Sequence, residues 1–324
     1  MSELLVTAII CTRNRARLLD LCLRSVLRQT VPRERYEVLV VDNGSSDDTA
    51  AVCAAQASAG VRRIVEPVVG LSRARNTGWQ EAKGAVVGYL DDDGQATEGW
   101  LAGVLAAFHD VQPIPAWAGG PIELDWHVPP PAWLDPPLQE CLGALELGNR
   151  PRWLTPNERL GGGNSFFPRA LLRDVGGFDE RLGRVNNLLL SGEETQLQRR
   201  LEARGGRLYY HPAIRMRHDV PEERVQPAFF YRRYYWGGIT DAVIRRTLRE
   251  RLPAAAAAAL PSAMSSAEAR PGATFRRALR QTLAAGGFGA RSARIRGRIY
   301  LAYVFGALRG RWLYAGVEAG GKAK

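Results

Sequence analysis

Residues 86–95 read VVGYLDDDGQ, an apolar run from Val86 to Leu90 that ends in Asp91, Asp92 and Asp93. Three adjacent carboxylates repel one another, and a strand end offers them few partners. If the strand stays extended, side chains alternate faces, so Asp91 and Asp93 point one way and Asp92 the other. Two carboxylates on one face suit a hard divalent cation with oxygen ligands. Magnesium or manganese would keep positions open for water and substrate phosphates. An isolated DDDG would read as an exposed turn. Here the apolar strand in front of it and Asp42 at the end of another strand favour the metal.

For these acids to meet, the chain must bring several strand ends to one edge. Apolar β-rich runs occupy residues 4–10, 36–41, 61–65 and 85–90. Between them, residues 16–29 carry Leu19, Cys22, Leu23, Val26 and Leu27 at a helical period, and helices are expected up to residue 59 and over 71–82. Ser45 or Ser46 is placed to cap the second helix, with Asp47 and Asp48 in its first turn. Strands alternating with helices predict an α/β fold with a mainly parallel sheet flanked by helices. In such sheets ligands bind beyond the carboxyl ends of the strands. Thr12, Arg13 and Asn14, then Asp42 and Asn43, then Asp91 to Asp93 all fall at such ends.

The middle of the chain is less regular. PPPAWLDPP (129–137) reads as a long surface loop, because its prolines lack the backbone donor that helix interiors and central strands need. GGGNSFF (161–167) is a turn entering a strand, and GGFDERLG (176–183) is another turn. GEETQLQRRLEARGG (192–206) reads as a helix with Glu193 and Glu194 at its start, and a short β segment ends near His218. From about residue 221 the chain looks helical, with an Ala/Pro/Ser-rich link at 253–273. The expected division is therefore 1–220 and 221–324.

The net charge of +11 has a single source. Residues 270–324 hold twelve Arg/Lys and one acid, Glu318, whereas residues 1–269 hold thirty-two bases and thirty-two acids. The four cysteines form no CxxC pair and no ligand cluster with histidine, which favours free thiols and a reducing compartment. No signal peptide is visible, and no apolar run approaches the ~20 residues of a membrane-spanning helix. These features lead us to expect a cytoplasmic protein able to sit peripherally on the inner face of a membrane.

Six segments in order resemble the family 2 glycosyltransferases of GT-A fold: VTAIICTRNR, YEVLVVDNGSSDDT, GLSRARNTGWQEAKG, VGYLDDDG, GGGNSFFPRALLRDVGGFDERLG and GEETQLQRRL. The resemblance covers roughly residues 4–220 and implies transfer of a sugar from a nucleoside-diphosphate donor, a UDP-sugar first among them, to an acceptor hydroxyl with inversion. The acceptor it implies is a saccharide or a lipid-linked one, as in cell-surface polysaccharide or glycolipid synthesis. By the same resemblance Thr12 and Asn14 lie against the nucleoside, and Asp42 accepts the ring N–H of the base. Arg75 and Asn76 line the donor site, Asp91 lies near the ribose, and Asp92 is the variable middle position. Asp93 holds Mn2+ or Mg2+, with His218 able to complete the metal site. The cation would offset the repulsion within the acidic triplet, leaving it strained when empty. The family usually shows Glu-Asp where this chain has Glu193-Glu194. The second acid, Glu194, would take the proton of the acceptor hydroxyl, with Glu193 the alternative.

Other classes fit less well. A nucleotidyltransferase making sugar nucleotides should carry a Gly-rich loop after the first strand, where CTRNR stands here. No GxGxxG follows a strand, which weighs against a dinucleotide-dependent dehydrogenase. Binding of nucleic acid through the tail is not expected, since no recognised module accompanies the charge. The tail instead suggests an anionic membrane surface. Arg291, Arg294 and Arg298 recur at helical spacing, with Ile295, Ile299 and Ala302 on a neighbouring strip. A helix packed on the rest of the protein, its arginines merely solvated, is the competing expectation.

Overall fold

The structure, a computed structural model, describes residues 6–252 and 290–315 except Asn157 and Asn187. The link expected at 253–273 lies outside them. The chain divides into two compact units. One comprises Met1–Asp125, Leu142–Glu180 and Arg204–Asp219, and the other Trp126–Cys141, Arg181–Ala203 and Val220–Lys324. A single cut at 220 did not anticipate that 126–141 and 181–203 cluster with the C-terminal part.

The first unit is built on alternating elements. In chain order they are β1 (Val6–Thr12), α1 (Ala16–Val26), β2 (Tyr36–Asp42), α2 (Thr49–Ala55), β3 (Val61–Val65), α3 (Leu71–Glu81), β4 (Val86–Leu90), β5 (Gly94–Ala96), α4 (Trp100–His109), β6 (Trp117–Gly119) and β7 (Ile122–Trp126). After the short α5 (Pro136–Gln139), which lies in the second unit, come β8 (Arg152–Trp153), β9 (Asn164–Pro168) and α6 (Arg169–Val175). Beyond α7 (Glu193–Glu202) the chain forms β10 (Leu208–Tyr210) and β11 (Met216–Val220). The main sheet has the order β3-β2-β1-β4-β9-β6-β10-β8, and β5-β11-β7 form a second, smaller one. β1 is parallel to β2 and β4, and β2 to β3, whereas β9 runs antiparallel to both its neighbours. The mainly parallel sheet predicted from the sequence is present.

β1, β2 and β4 are almost wholly buried, which is why they read as continuous apolar runs. Leu19, Cys22, Leu23 and Val26 of α1 and Trp100, Leu101 and Val104 of α4 pack into the same core. The second helix starts later than Ser45 or Ser46 suggested. Neither serine caps it; Asp47 accepts the Thr49 N–H at 3.1 Å, and Ser45 Oγ accepts the Asn14 N–H at 3.0 Å.

One buried amide ties β9 to α4 and to the segments that follow β6 and β10. Asn164 Nδ2 donates to the Ile214 carbonyl at 2.7 Å and to those of Pro121 and Gly120 at 3.2 and 3.3 Å, while its Oδ1 accepts the Trp100 indole N–H at 2.8 Å. Asn164→Ala would strand these groups away from water. It is expected to lower stability by about 3 kcal/mol, read as a reduced midpoint of denaturant unfolding at unchanged slope.

In the second unit, α8 (Pro227–Arg251) and α9 (Ala290–Ala315) pack along one another. Their contact is close enough that a Cβ at Gly306 would sit 1.8 Å from the Tyr235 carbonyl oxygen, and one at Gly238 would sit 2.3 Å from that of Tyr303. Between the helices the Tyr303 hydroxyl donates to the buried carboxylate of Asp241. Here the Pro-rich stretch 129–137 departs from a plain surface loop. Trp133 and Leu134 are buried, with Trp133 edge-on to Phe230 at 5.1 Å, and Asp135 caps α5, whose prolines occupy the first turn.

Candidate active site

The register of the sheet assembles one edge. Thr12 lies opposite Asp42, and Ile9 opposite Tyr89, so the segments following β1, β2 and β4 emerge side by side. The chain stops being extended at Leu90. The Gly94 N–H closes back on the Asp91 carbonyl at 2.8 Å, making a turn of the three acids. That overturns the expected alternation: Asp92 and Asp93 turn to one cation and Asp91 to another. Arg15 Nη1 lies 2.7 Å from Asp92 Oδ1 and 3.0 Å from Asp93 Oδ2. Arg75 Nη2 lies 3.3 Å from Asp91 Oδ1. The repulsion expected to strain the site without metal is thus already offset by two guanidinium groups.

Asp92 also accepts the Thr12 hydroxyl at 2.8 Å. Burial is the larger influence on Asp92 and raises its pKa to about 6, against the opposing pull of Arg15 and with a further push from Asp93. The Arg15 pKa is raised in turn, chiefly by Asp92, so that cation stays charged.

Asp93 meets a second partner on its other oxygen. β11 pairs with β5 so that His218 lies opposite Gly94, and the Asp219 N–H donates to the Asp93 carbonyl at 2.9 Å. His218 Nε2 stands 3.3 Å from Asp93 Oδ1, and its Nδ1 is 2.6 Å from the Leu142 carbonyl. A carbonyl only accepts, so Nδ1 carries a proton and Nε2 is the atom turned to Asp93. An imidazole held by a carbonyl through Nδ1, with Nε2 against a carboxylate, is a donor set that suits manganese. Among the described residues no group of three or more His, Cys, Asp or Glu could hold a metal alone. The fit is that of a site with few protein ligands that leaves positions for phosphate oxygens.

Asp42 is buried, and its oxygens are engaged. Ser45 N–H donates to Oδ1 at 2.8 Å, and Arg63 donates to Oδ2 at 2.6 and 3.0 Å. Burial alone would raise its pKa, but these hydrogen bonds and the Arg63 charge outweigh it and hold the carboxyl below its ordinary value. Asn14 sits at φ +53 and accepts the Ser46 N–H at 2.7 Å, so it shapes the loop beside Asp42.

Arg75 is buried, with Tyr89 and Phe178 rings 5.7 and 5.5 Å from its guanidinium carbon. It is no surface salt bridge. Asn76 is spent elsewhere than expected: its amide donates to the Phe178 carbonyl at 3.0 Å and accepts the Phe178 N–H at 2.8 Å, pinning the 176–178 turn. Cys11, Cys22 and Cys53 offer no nucleophile, since burial lifts the Cys11 thiol to about 12 and Cys53 to about 11 and holds Cys22 well above its ordinary value.

Arg15 and Arg63 escaped the sequence reading. The only signal for Arg15 was the second arginine of CTRNR, three residues after Thr12.

In the second unit, Gly192 enters α7 at φ +84. A Cβ there would meet Ile244 and Thr240 at 2.6 and 2.8 Å, so the helix start is pressed onto α8. Glu193 is buried beside it. Glu194 is partly exposed, and its buried Oε2 has no hydrogen-bond partner among the described residues. A carboxylate oxygen left open in this way is suited to accept a proton.

Comparison with solved structures defines the fold as that of the GT-A glycosyltransferases. The mannosyltransferase PcManGT from Pyrobaculum calidifontis, in complex with GDP-Man and Mn2+, superposes with a TM-score of 0.64 over 95% of this chain and 87% of its own, at 21% identity. S. aureus TarS in complex with UDP-GlcNAc gives 0.54 over 94% and 91%, at 15% identity. The sequence model of glycosyl transferase family 2 matches residues 7–132 of the chain. The glucosyl-dolichyl phosphate glucuronosyltransferase of Haloferax volcanii is 25% identical over 74% of this chain and 77% of its own length. Glycosyltransferase AglE of the same organism is 38% identical over 99 residues, 30% of this chain, which thereby spans 33% of that relative.

Proposed function

We propose that the protein transfers a sugar from a nucleoside-diphosphate donor to an acceptor hydroxyl with inversion. The observation that carries this reading is the pairing of Asp93 with His218 Nε2 beside the ends of β1, β2 and β4. Asp93 and His218 would hold Mn2+ or Mg2+. When bound, the cation neutralises charge that develops on the departing diphosphate.

The chain's own groups do the rest. Asp42, kept ionised, accepts the ring N–H that a pyrimidine base such as uracil presents. Arg75 keeps Asp91 oriented for the ribose, and Thr12 fixes Asp92. Arg15 holds the acidic turn together before a donor arrives. Glu194 takes the acceptor proton as the new bond forms.

The Haloferax glucuronosyltransferase is named for a sugar on dolichyl phosphate. That supports a lipid-linked saccharide as acceptor here, within glycoconjugate synthesis. A thermal-shift screen of UDP-, GDP- and dTDP-sugars, with and without manganese, tests the donor side. Stabilisation by at least one nucleotide sugar that requires the metal is expected, with uridine donors ranking first. No stabilisation by any of them would overturn the reading.

A further inference from the structure

The exposed face of α9 is two-part. Arg291, Arg294 and Arg298 line its first half, and Phe305, Leu308 and Trp312 its second, with Arg309 beside them, and all are exposed. Their spacings of three, four, seven, three and four place them on one side of a helix, over about 30 Å. Trp312 is 73% exposed, Phe305 63% and Leu308 56%, unlike Ile299, Tyr300 and Tyr303, which are buried. The strip expected to be free, Ile295, Ile299 and Ala302, is therefore not the free one. Ile299 is fully covered, whereas Ile295 and Ala302 are half-covered.

The helix carries no acid anywhere between Ala290 and Ala315. No helix among the described residues is long and apolar enough to cross a membrane. An exposed tryptophan and phenylalanine in line with exposed arginines is the composition of a helix lying in a lipid interface. Aromatic side chains enter the headgroup boundary while cations meet anionic headgroups.

We infer that this face of α9 docks the protein on an anionic lipid surface. Phe305, Leu308 and Trp312 insert, and Arg291, Arg294, Arg298 and Arg309 lie against the headgroups. The charge complementarity selects the occupant: a face with four exposed arginines, on a helix without an acid, matches a surface of anionic headgroups. The opposite face stays on α8 through Gly306, Gly310 and Tyr303, so docking asks for no rearrangement of the helix pair. The inference does not rest on the transferase reading, and its test needs no activity.

The test is co-sedimentation of the full chain with phosphatidylcholine vesicles, with and without phosphatidylglycerol. Wild type should pellet with the anionic vesicles and not with the neutral ones, and high salt should weaken the association. The triple variant Phe305→Ser, Leu308→Ser, Trp312→Ser should bind about tenfold more weakly or worse, and so should Arg291→Glu, Arg294→Glu, Arg298→Glu. All six positions are exposed, so an unchanged melting temperature should confirm that each variant is folded. Unaltered pelleting of the serine variant, as when another part of the chain covers the face, would overturn the inference. Loss in the glutamate variant alone, with equal binding to a single-stranded oligonucleotide, would also overturn it and identify a general polyanion patch.

Discussion

Replacing Glu194 by glutamine is expected to slow sugar transfer by about two to four orders of magnitude, the usual worth of a positioned general base. Glutamine keeps the size and polarity of the side chain and removes the oxygen that takes the proton. The Glu194 Oε2 has no partner to lose among the described residues, so the fold should tolerate the exchange. Donor affinity should stay near wild type, because the proton comes from the acceptor. The two effects separate in one experiment, with transfer measured by product formation and donor binding by calorimetry. Glu193→Gln is the control and should cost much less. The reverse ranking would make Glu193 the base, and full activity in both variants would remove the inverting mechanism proposed above.

Metal-dependent donor binding should depend on Asp93 to the same degree. With a nucleoside diphosphate and manganese at about a hundredfold excess over Kd, wild type should gain about 2.7 kcal/mol, a rise in Tm of roughly 4 °C. In Asp93→Ala that gain should vanish. Asp93→Asn separates ligand loss from structural damage, since it keeps the shape and can still accept from Arg15. Arg15 retains Asp92 at 2.7 Å in either variant, so the acidic turn should remain formed. Wild-type stabilisation by nucleotide and manganese in both variants would show that Asp93 serves the fold and not the donor.

Much of this architecture is legible in the chain itself. The runs that became β1, β2 and β4 are apolar at most inward positions, with Thr7 a buried exception, and burial on both faces favours that composition. The placement of Asp42 and the acidic triplet at one edge follows from parallel pairing. What local pattern could not give was the geometry inside the triplet. The turn at Asp91 depends on the Gly163 carbonyl, which accepts the Asp91 N–H at 3.2 Å from far along the chain. The triplet by itself implies a cation bound from outside the protein, whereas Arg15 supplies one across 77 residues. The family resemblance puts Asn76 at the donor site, yet Phe178, 102 residues away, claims its amide.

The C-terminal helix shows the same limit. Helical periodicity sorts its residues into faces but does not say which face finds a partner. Both Ile299 and Phe305 are apolar; only the first is covered. The small residues Gly306 and Gly310 were the available signal, because they mark where another backbone can approach closely.

The antiparallel strand beside β4 has a consequence for how this protein can be trimmed or made. Residues 86–90 hydrogen-bond on one side to β1 and on the other to Asn164–Pro168, in a register running from Val86 opposite Pro168 to Leu90 opposite Asn164. The family match ends at residue 132, before that second partner has been reached. A fragment cut there would carry the acidic turn on a strand with one naked, apolar edge, the kind of surface on which chains aggregate. During synthesis the same edge stands open until β9 has left the ribosome, and Asp93 meets its histidine only after β11 has followed. A soluble minimal fragment must therefore extend at least through Val220, whatever the boundaries of the sequence family suggest.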